Sequence, residues 1–370
     1  MIKHGVFPPP PLLYIRTTRR IPCYRQSTIG SMSSLKTKIL FTGATGYIGG
    51  SVLERFLSRP DADNFEFTAL VRDTNKAEKL RAFGVKTVVG SLSDVALIER
   101  LASDADAVLA TADSDDLAAA KATLAGLKKK FVATGVPSVY IHTSGAGIIL
   151  DDAKGLAASE VVYDDTDAAQ IASLPETQIH RNVDLEIINA DVEGYIKGYI
   201  VVPTLVYGLA SGKFVDAGIQ KKHTIIHPWL LSSSLGRGRV GIVGQGKNVL
   251  TNVNVDDLAD LYPLLWDAII SNPQLGHGPE GHFFAENGEN TLYDLAKKFG
   301  EALVALGKIE NSEPTTFTQE ELAGSFMGLL GGNARCRANH ARSVLGWNPV
   351  KTTKDYWNGL HGEVEYLLRK

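Results

Sequence analysis

Long apolar runs are missing from this 370-residue chain, and without about 18 consecutive apolar residues a membrane-spanning helix is not expected. Cysteine is nearly absent. Cys23 and Cys336 are the only two, too few for a disulfide framework, and they point to a reducing compartment. Neither sign of charge dominates: 38 Lys and Arg against 41 Asp and Glu give a net charge of −3 at pH 7, so no overall basic field recommends a nucleic-acid partner. Acidic residues are lacking only at the start, where none precedes Glu54. Residues 1–36 hold instead the proline run Pro8 to Pro11 and Arg16, Arg19, Arg20 and Arg25, and read as a flexible basic extension. That composition fits a mitochondrial targeting segment over residues 1–31, a disordered tail, or sequence upstream of a natural start at Met32; the cytoplasm is the default expectation.

What is present is enough apolar material, 44% of residues, for a large core, and a length that suggests two lobes. Glycine is concentrated in Phe-Thr-Gly-Ala-Thr-Gly-Tyr-Ile-Gly-Gly, residues 41–50. Each glycine inside regular structure costs about 0.5–1 kcal/mol relative to alanine, so the cluster needs a reason. Residues 38–42 read as a buried strand, and Val52, Leu53, Phe56 and Leu57 fall on one face of a following helix. A strand-to-helix turn of this kind presents unpaired N–H groups and the positive end of a helix dipole to a closely approaching pyrophosphate. The spacing Gly43, Gly46, Gly49 is one residue wider at its start than the commonest dinucleotide fingerprint, and a glycine turn without ligand is the bland alternative.

Beyond the turn, strands at 65–71, 85–89, 105–110 and 139–143 alternate with helices at 76–83, 92–101 and 117–134. A helix over 177–190 and a sixth strand at 199–203 follow. This alternation predicts an α/β, doubly wound parallel sheet, with residues 37–205 as the nucleotide-binding domain. Residues 206–370 are then mostly a smaller C-terminal substrate lobe, with about 240–270 returning to the first domain. Short strands at 240–243, 250–255 and 282–285 and helices at 256–270 and 292–306 are expected there.

Six ordered segments now resemble one family. They are Thr-Gly-Ala-Thr-Gly-Tyr-Ile-Gly (42–49), Gly-Ser-Leu-Ser-Asp (90–94), Ile-His-Thr-Ser-Gly (141–145), Val-Pro-Thr-Leu-Val-Tyr-Gly (202–208), Val-Asn-Val-Asp-Asp-Leu-Ala (253–259) and Leu-Gly-Trp-Asn-Pro (345–349). Together the chain resembles the extended and atypical short-chain dehydrogenase/reductases, the NAD-dependent epimerase/dehydratase-like proteins with their NmrA-like relatives. The resemblance implies a Rossmann domain that binds NAD(P), a small-molecule substrate, and frequent pairing as a homodimer through two long helices, here 117–134 and 177–190. It places Gly43, Thr45, Gly46, Tyr47, Ile48 and Gly49 along the pyrophosphate and adenosine ribose, Leu92 and Thr111 near the adenine, and Pro203 beside the nicotinamide. The family has an acid after Gly90, and Ser91 stands there instead.

The end of the second strand decides between the cofactors, because a cation there neutralises the 2'-phosphate of NADP. Arg72, with Lys76 behind it, favours NADP; the adjoining Asp73 keeps NAD open. For catalysis the resemblance calls for a tyrosine four residues before a lysine and a serine at the end of strand five. Ser144 fits the serine, but His180 and Asp184 occupy the other two positions. The i, i+4 spacing predicts one helix face, with Asp184 orienting His180 for proton transfer. A surface ion pair without catalysis is the alternative. Carbonyl reduction or alcohol oxidation is the first expectation; a non-catalytic NADP(H) sensor and an epimerase or dehydratase are the others.

Tyr163 is a weaker stand-in for the missing phenol. His223 and His227 could share a metal by spacing, but no acid or cysteine lies near them, and no metal is expected. Asp113, Asp115 and Asp116 read as the capping end of the helix that Lys128 to Lys130 help to end. Trp229, His227 and Arg237 are candidates for the substrate pocket within 209–245.

Overall fold

The computed structural model describes residues 36–323 and 326–369, so the basic extension and Cys23 lie outside the described residues. Its centre is a parallel sheet of β1 (Thr37–Thr42), β2 (Phe65–Val71), β3 (Lys86–Val89), β4 (Ala107–Ala110), β5 (Ser138–Thr143), β7 (Ile196–Pro203) and β11 (His282–Ala285), with the short β6 (Tyr163–Asp164) outside it. The spatial order is β3-β2-β1-β4-β5-β7-β11, the doubly wound arrangement expected from the alternating pattern. Near-continuous apolar runs such as Ile39 to Phe41 and Tyr199 to Val202 follow from burial on both faces.

Helices α1 (Tyr47–Leu57) and α2 (Thr74–Arg81) cover one face. On the other lie α3 (Val95–Ala102), α4 (Leu117–Thr134) and α6 (Arg181–Val192), the last preceded by the short α5 (Ala168–Ala172). Two helices start later than the sequence predicts. Helix α3 begins at Val95 and not at Leu92, because the Asp94 carboxylate accepts from the Leu97 N–H at 3.0 Å and caps it. Helix α6 begins at Arg181 and not at Thr177, because His180 has φ +69°, a left-handed conformation that no α-helix accommodates.

The C-terminal part builds a smaller lobe. A three-stranded sheet joins β8 (Leu205–Tyr207), β10 (Val249–Asn254) and β12 (Glu289–Thr291), while β9 (Gly241–Ile242) pairs with β13 (Thr315–Thr316) and β6 with β14 (Cys336–Arg337). Around them lie α8 (Ile226–Arg237), α10 (Leu292–Ala305), α11 (Gln319–Leu322) and α13 (Thr353–Leu368), while α7 (Lys213–Asp216) packs on α1 through Phe214. Leu230, Phe299, Tyr356, Leu360 and Val364 form this lobe's own core. Helix α9 (Val255–Ser271) packs instead on α1, and α12 (Asn339–Leu345) on β11 and α9. Trp347, from the Leu-Gly-Trp-Asn-Pro segment, is buried and donates its indole N–H to the Asp257 carbonyl at 2.8 Å.

The seam between α1 and α9 is aromatic. Phe56, fully buried, meets Phe65, Phe67 and Trp266 edge-on at ring distances of 5.9 to 6.4 Å. Truncation to Phe56→Ala is expected to destabilise the protein by about 3–5 kcal/mol, read as a lowered urea midpoint with the parallel-sheet circular dichroism intact.

Candidate active site

The glycine turn is shaped by β4. Thr111 leaves that strand and donates its hydroxyl to the Thr42 carbonyl at 2.7 Å, which brings its atoms against the turn. A Cβ at Gly43, where φ is +84°, would lie 2.6 Å from the Thr111 carbonyl carbon, and one at Gly49 would collide with Thr111 Oγ1 and the Gly43 carbonyl. The Gly46 N–H closes the turn on the Gly43 carbonyl at 2.8 Å and Gly46 becomes the N-cap of α1. No side chain caps that helix and no acid lies in its first turn, so its opening amides, around Ile48, point to the carboxyl edge of the sheet without a side-chain acceptor. The residues fit a dinucleotide here: the backbone is bare where a pyrophosphate must approach, and the dipole is uncompensated.

The segment that follows α7 grips the same turn. Lys221 N–H donates to the Thr45 carbonyl at 3.1 Å, and Gln220 Nε2 donates to the Tyr47 carbonyl at 2.9 Å and to Ser51 Oγ at 2.7 Å. The Tyr47 side chain turns inward. Its hydroxyl donates to the Gly208 carbonyl at 2.5 Å, and burial holds the phenol well above its ordinary pKa. Gly208 N–H in turn donates to Glu363, whose other oxygen meets His227 Nδ1 at 2.7 Å; His227 Nε2 lies 2.6 Å from the Tyr356 hydroxyl. His227 is therefore fully buried, spent on a structural network, and closed to substrate. Neither Gln220 nor Glu363 was legible beforehand, since each sits far along the chain from the turn it supports.

At the end of β2 Arg72 is exposed, whereas the Asp73 carboxylate accepts from the Lys76 N–H at 3.0 Å and caps α2. Leu92 is half-buried against the cluster of Leu70, Ile98, Ala119 and Ala122. Pro203 ends β7, buried opposite Ala285.

Ser144 follows β5, fixed by its N–H to the Val201 carbonyl at 2.9 Å, and is 5% exposed. Its hydroxyl donates to Asp184 Oδ2 at 2.9 Å. The expected pairing of Asp184 with His180 does not form. With His180 left-handed and outside α6, the two side chains leave the shared face: Asp184 turns into the core beside Ser144, and His180 swings to the loop after β4. There His180 Nδ1 lies 2.7 Å from Asp115 Oδ1 and 3.0 Å from Ser114 Oγ. Asp115, read from sequence as one of three capping acids, is the histidine's acid; Asp116 alone caps α4, through Ala119 N–H at 2.9 Å. The other edge of the ring packs where a Cβ on Gly145 or Gly147 would stand, the former 3.0 Å from Nε2. An imidazole held through Nδ1 by a carboxylate, beside the segment that carries Ser144, is an arrangement suited to proton transfer.

Asp184 is fully buried, and desolvation pushes its pKa up to about 7 against the lowering pull of the Ser144 hydrogen bond and Arg181. His142 on β5 has Nε2 3.6 Å from Asp184 Oδ1, and burial lowers its pKa to about 3, so it stays neutral. Tyr163 lies in β6, paired with Cys336, half-buried in a different sheet. Arg237 is committed to Thr315, Thr316 and Glu321 and stacks on Phe317, while Trp229 is 39% exposed against Phe326. Helices α4 and α6 are tied by Lys121–Glu186 at 3.1 Å and Lys128–Glu193 at 2.7 Å. Among the described residues, no group of three or more His, Cys, Asp or Glu is placed to hold a metal, and no helix is long and apolar enough to cross a membrane.

The uncapped helix at a glycine turn, the sheet order and the smaller lobe after it make a Rossmann-like α/β fold. Within it, residues 35–143 match the NmrA-like family. Over 333 residues the chain is 29% identical to Oxidase ucsJ of an Acremonium species, covering 85% of this chain and 93% of that protein. It is 22% identical over 332 residues to an uncharacterised protein of Schizosaccharomyces pombe, covering 85% and 96%. Its fold matches UDP-glucose 4-epimerase of Thermotoga maritima, with TM-score 0.59, 17% identity and coverage of 90% and 99%. A second structural match is the dTDP-glucose 4,6-dehydratase DesIV of Streptomyces venezuelae, solved with NAD, at TM-score 0.59, 18% identity and coverage of 90% and 98%.

An acid whose folded pKa is raised loses native stability as pH climbs from its unfolded value, 3.8, to its folded value, about 7. Asp184→Asn removes this penalty. The variant should gain on wild type across that window and hold an advantage of a few kcal/mol above it, as measured by urea denaturation at a series of pH values.

Proposed function

We propose that the chain is an NAD(P)-dependent oxidoreductase that reduces an aldehyde or ketone, or oxidises the corresponding alcohol, on a small-molecule substrate. The observation that carries this reading is the bare turn between Gly43 and Gly49, packed to contact by Thr111 and opening an uncapped helix. The bound dinucleotide supplies a hydride acceptor or donor. The amides of Thr45 to Gly49 hold its pyrophosphate, Leu92 and Thr111 border the adenine, and Pro203 borders the nicotinamide. Arg72, free of the acid beside it because Asp73 caps α2, favours the 2'-phosphate of NADP; NAD is the alternative.

Ser144 orients the substrate oxygen. His180, held at Nδ1 by Asp115, exchanges a proton with that oxygen through Nε2. The oxidase relative and the epimerase and dehydratase folds support an oxidoreductase-type chemistry without fixing the reaction. One observation favours a second reading: the family's lysine position holds a buried acid, which would suit a protein that binds NADP(H) and responds to its redox state without turnover.

Calorimetry with NADPH and NADH, followed by a panel of carbonyl substrates, tests both readings. Arg72→Ala should weaken NADPH about tenfold and leave NADH nearly unchanged. His180→Ala should lower kcat/KM by about 10²–10⁴ with dinucleotide Kd unaltered. Binding without any turnover would select the sensor; no binding at all removes both.

A further inference from the structure

Several buried polar atoms beneath the carboxyl edge of β5 have no hydrogen-bond partner. They are Asp184 Oδ1, both ring nitrogens of His142 and of His282, and Nε and one terminal nitrogen of Arg181. Buried polar groups are paired as a rule, so an orphaned carboxylate oxygen calls for an explanation. An ionised Asp184 would leave half its charge unanswered at a fully buried site. A neutral acid would not.

The groups facing it agree. From β5 comes His142, neutral and beyond hydrogen-bond distance at 3.6 Å, and from the residue after that strand Ser144, which is hydrogen-bonded to it. From α6 comes Arg181, whose guanidinium donates to the Ile171 carbonyl at 3.3 Å and not to the acid. The loop after β4 contributes Asp115, a negative charge shared with His180. Charges on the neighbouring elements are engaged elsewhere: Lys121 with Glu186, and His277 with Asp191. The Ser144 hydroxyl joins this site to the end of β5.

A serine hydroxyl has one hydrogen and two lone pairs. We propose that Asp184 is a positioning residue that sets the hydrogen-bonding sense of Ser144. As a neutral acid it donates to Oγ, and the Ser144 hydrogen is free to point at a substrate oxygen. As a carboxylate, having released its proton to solvent, it takes that hydrogen and leaves only lone pairs facing outward. The first state polarises a carbonyl; the second accepts from an alcohol. The substrate half of this proposal rests on the oxidoreductase reading, whereas the Asp184–Ser144 half does not.

Infrared difference spectroscopy on the full chain without ligand tests the second half between about pH 5 and about pH 9. A carboxylic-acid carbonyl band should persist toward neutral pH, lose the component owed to Asp184 in Asp184→Asn, and have that component shift in Ser144→Ala, where its acceptor is gone. No band difference between wild type and Asp184→Asn, or no shift in Ser144→Ala, overturns the proposal. In turnover, carbonyl reduction should decline as pH rises through this ionisation, and alcohol oxidation should rise. That dependence should survive, at a lower rate, in His180→Gln and flatten in Asp184→Asn. An unchanged profile in Asp184→Asn also overturns it, provided dinucleotide Kd and thermal midpoint confirm that the variant is folded. If no variant turns over any carbonyl, the oxidoreductase reading falls alone and the infrared bands still decide the hydrogen-bond switch.

Discussion

Thr111 Oγ1 stands where two side chains would otherwise be, within van der Waals collision of any Cβ on Gly43 or Gly49. The hydroxyl bonds the Thr42 carbonyl, so the exit of β4 is locked to the exit of β1 and the turn between β1 and α1 has one course open to it. From that course follows the direction of α1, and with it the burial of Phe56 against Trp266 of α9 and the inward turn of Tyr47. Residues some 160 positions apart then meet at Gly208. A single close approach between two strand ends thus fixes both the uncapped amides of α1 and the seat of the smaller lobe.

The chemistry beside it is arranged by a second backbone constraint. His180 in the left-handed region ends any helix before it, and this frees its ring to reach Asp115 while Asp184, one turn into α6, drops beneath Ser144. Two groups that a straight helix would line up are thereby divided between two environments. His180 remains 18% exposed in its side chain, next to Gly145 and Gly147, and Asp184 sees no solvent. Environments that differ this far push two titratable groups toward different tasks.

The first five strands, the glycine turn and Ser144 were legible because each depends on local pattern: apolar runs for strands buried on two faces, and bare backbone at a strand-to-helix turn. Asp184 was located correctly and misassigned, since i, i+4 spacing holds only if both residues are helical, and nothing in His180-Arg-Asn-Val-Asp184 announces a positive φ at a non-glycine residue. Asp115 was hidden by its neighbours. Of three acids ahead of α4, periodicity cannot say which one caps and which reaches 65 positions along the chain to a histidine. His227 looked available by its loop setting, and only the arrival of Glu363 and Tyr356 from the last long helix shows it to be enclosed.

The seventh strand of the sheet has a temporal implication. Residues 282–285 pair along β7, which is complete some eighty positions earlier, and Ala285 also receives the N–H and hydroxyl of Thr204. Until that segment is made, a sheet built only as far as β7 would present Tyr199 to Val202 as an edge without the partner that β11 supplies. Synthesis therefore passes through a stretch in which the nascent sheet is most vulnerable to strand addition by another chain, and closure of this edge, more than formation of the turn, ends that exposure.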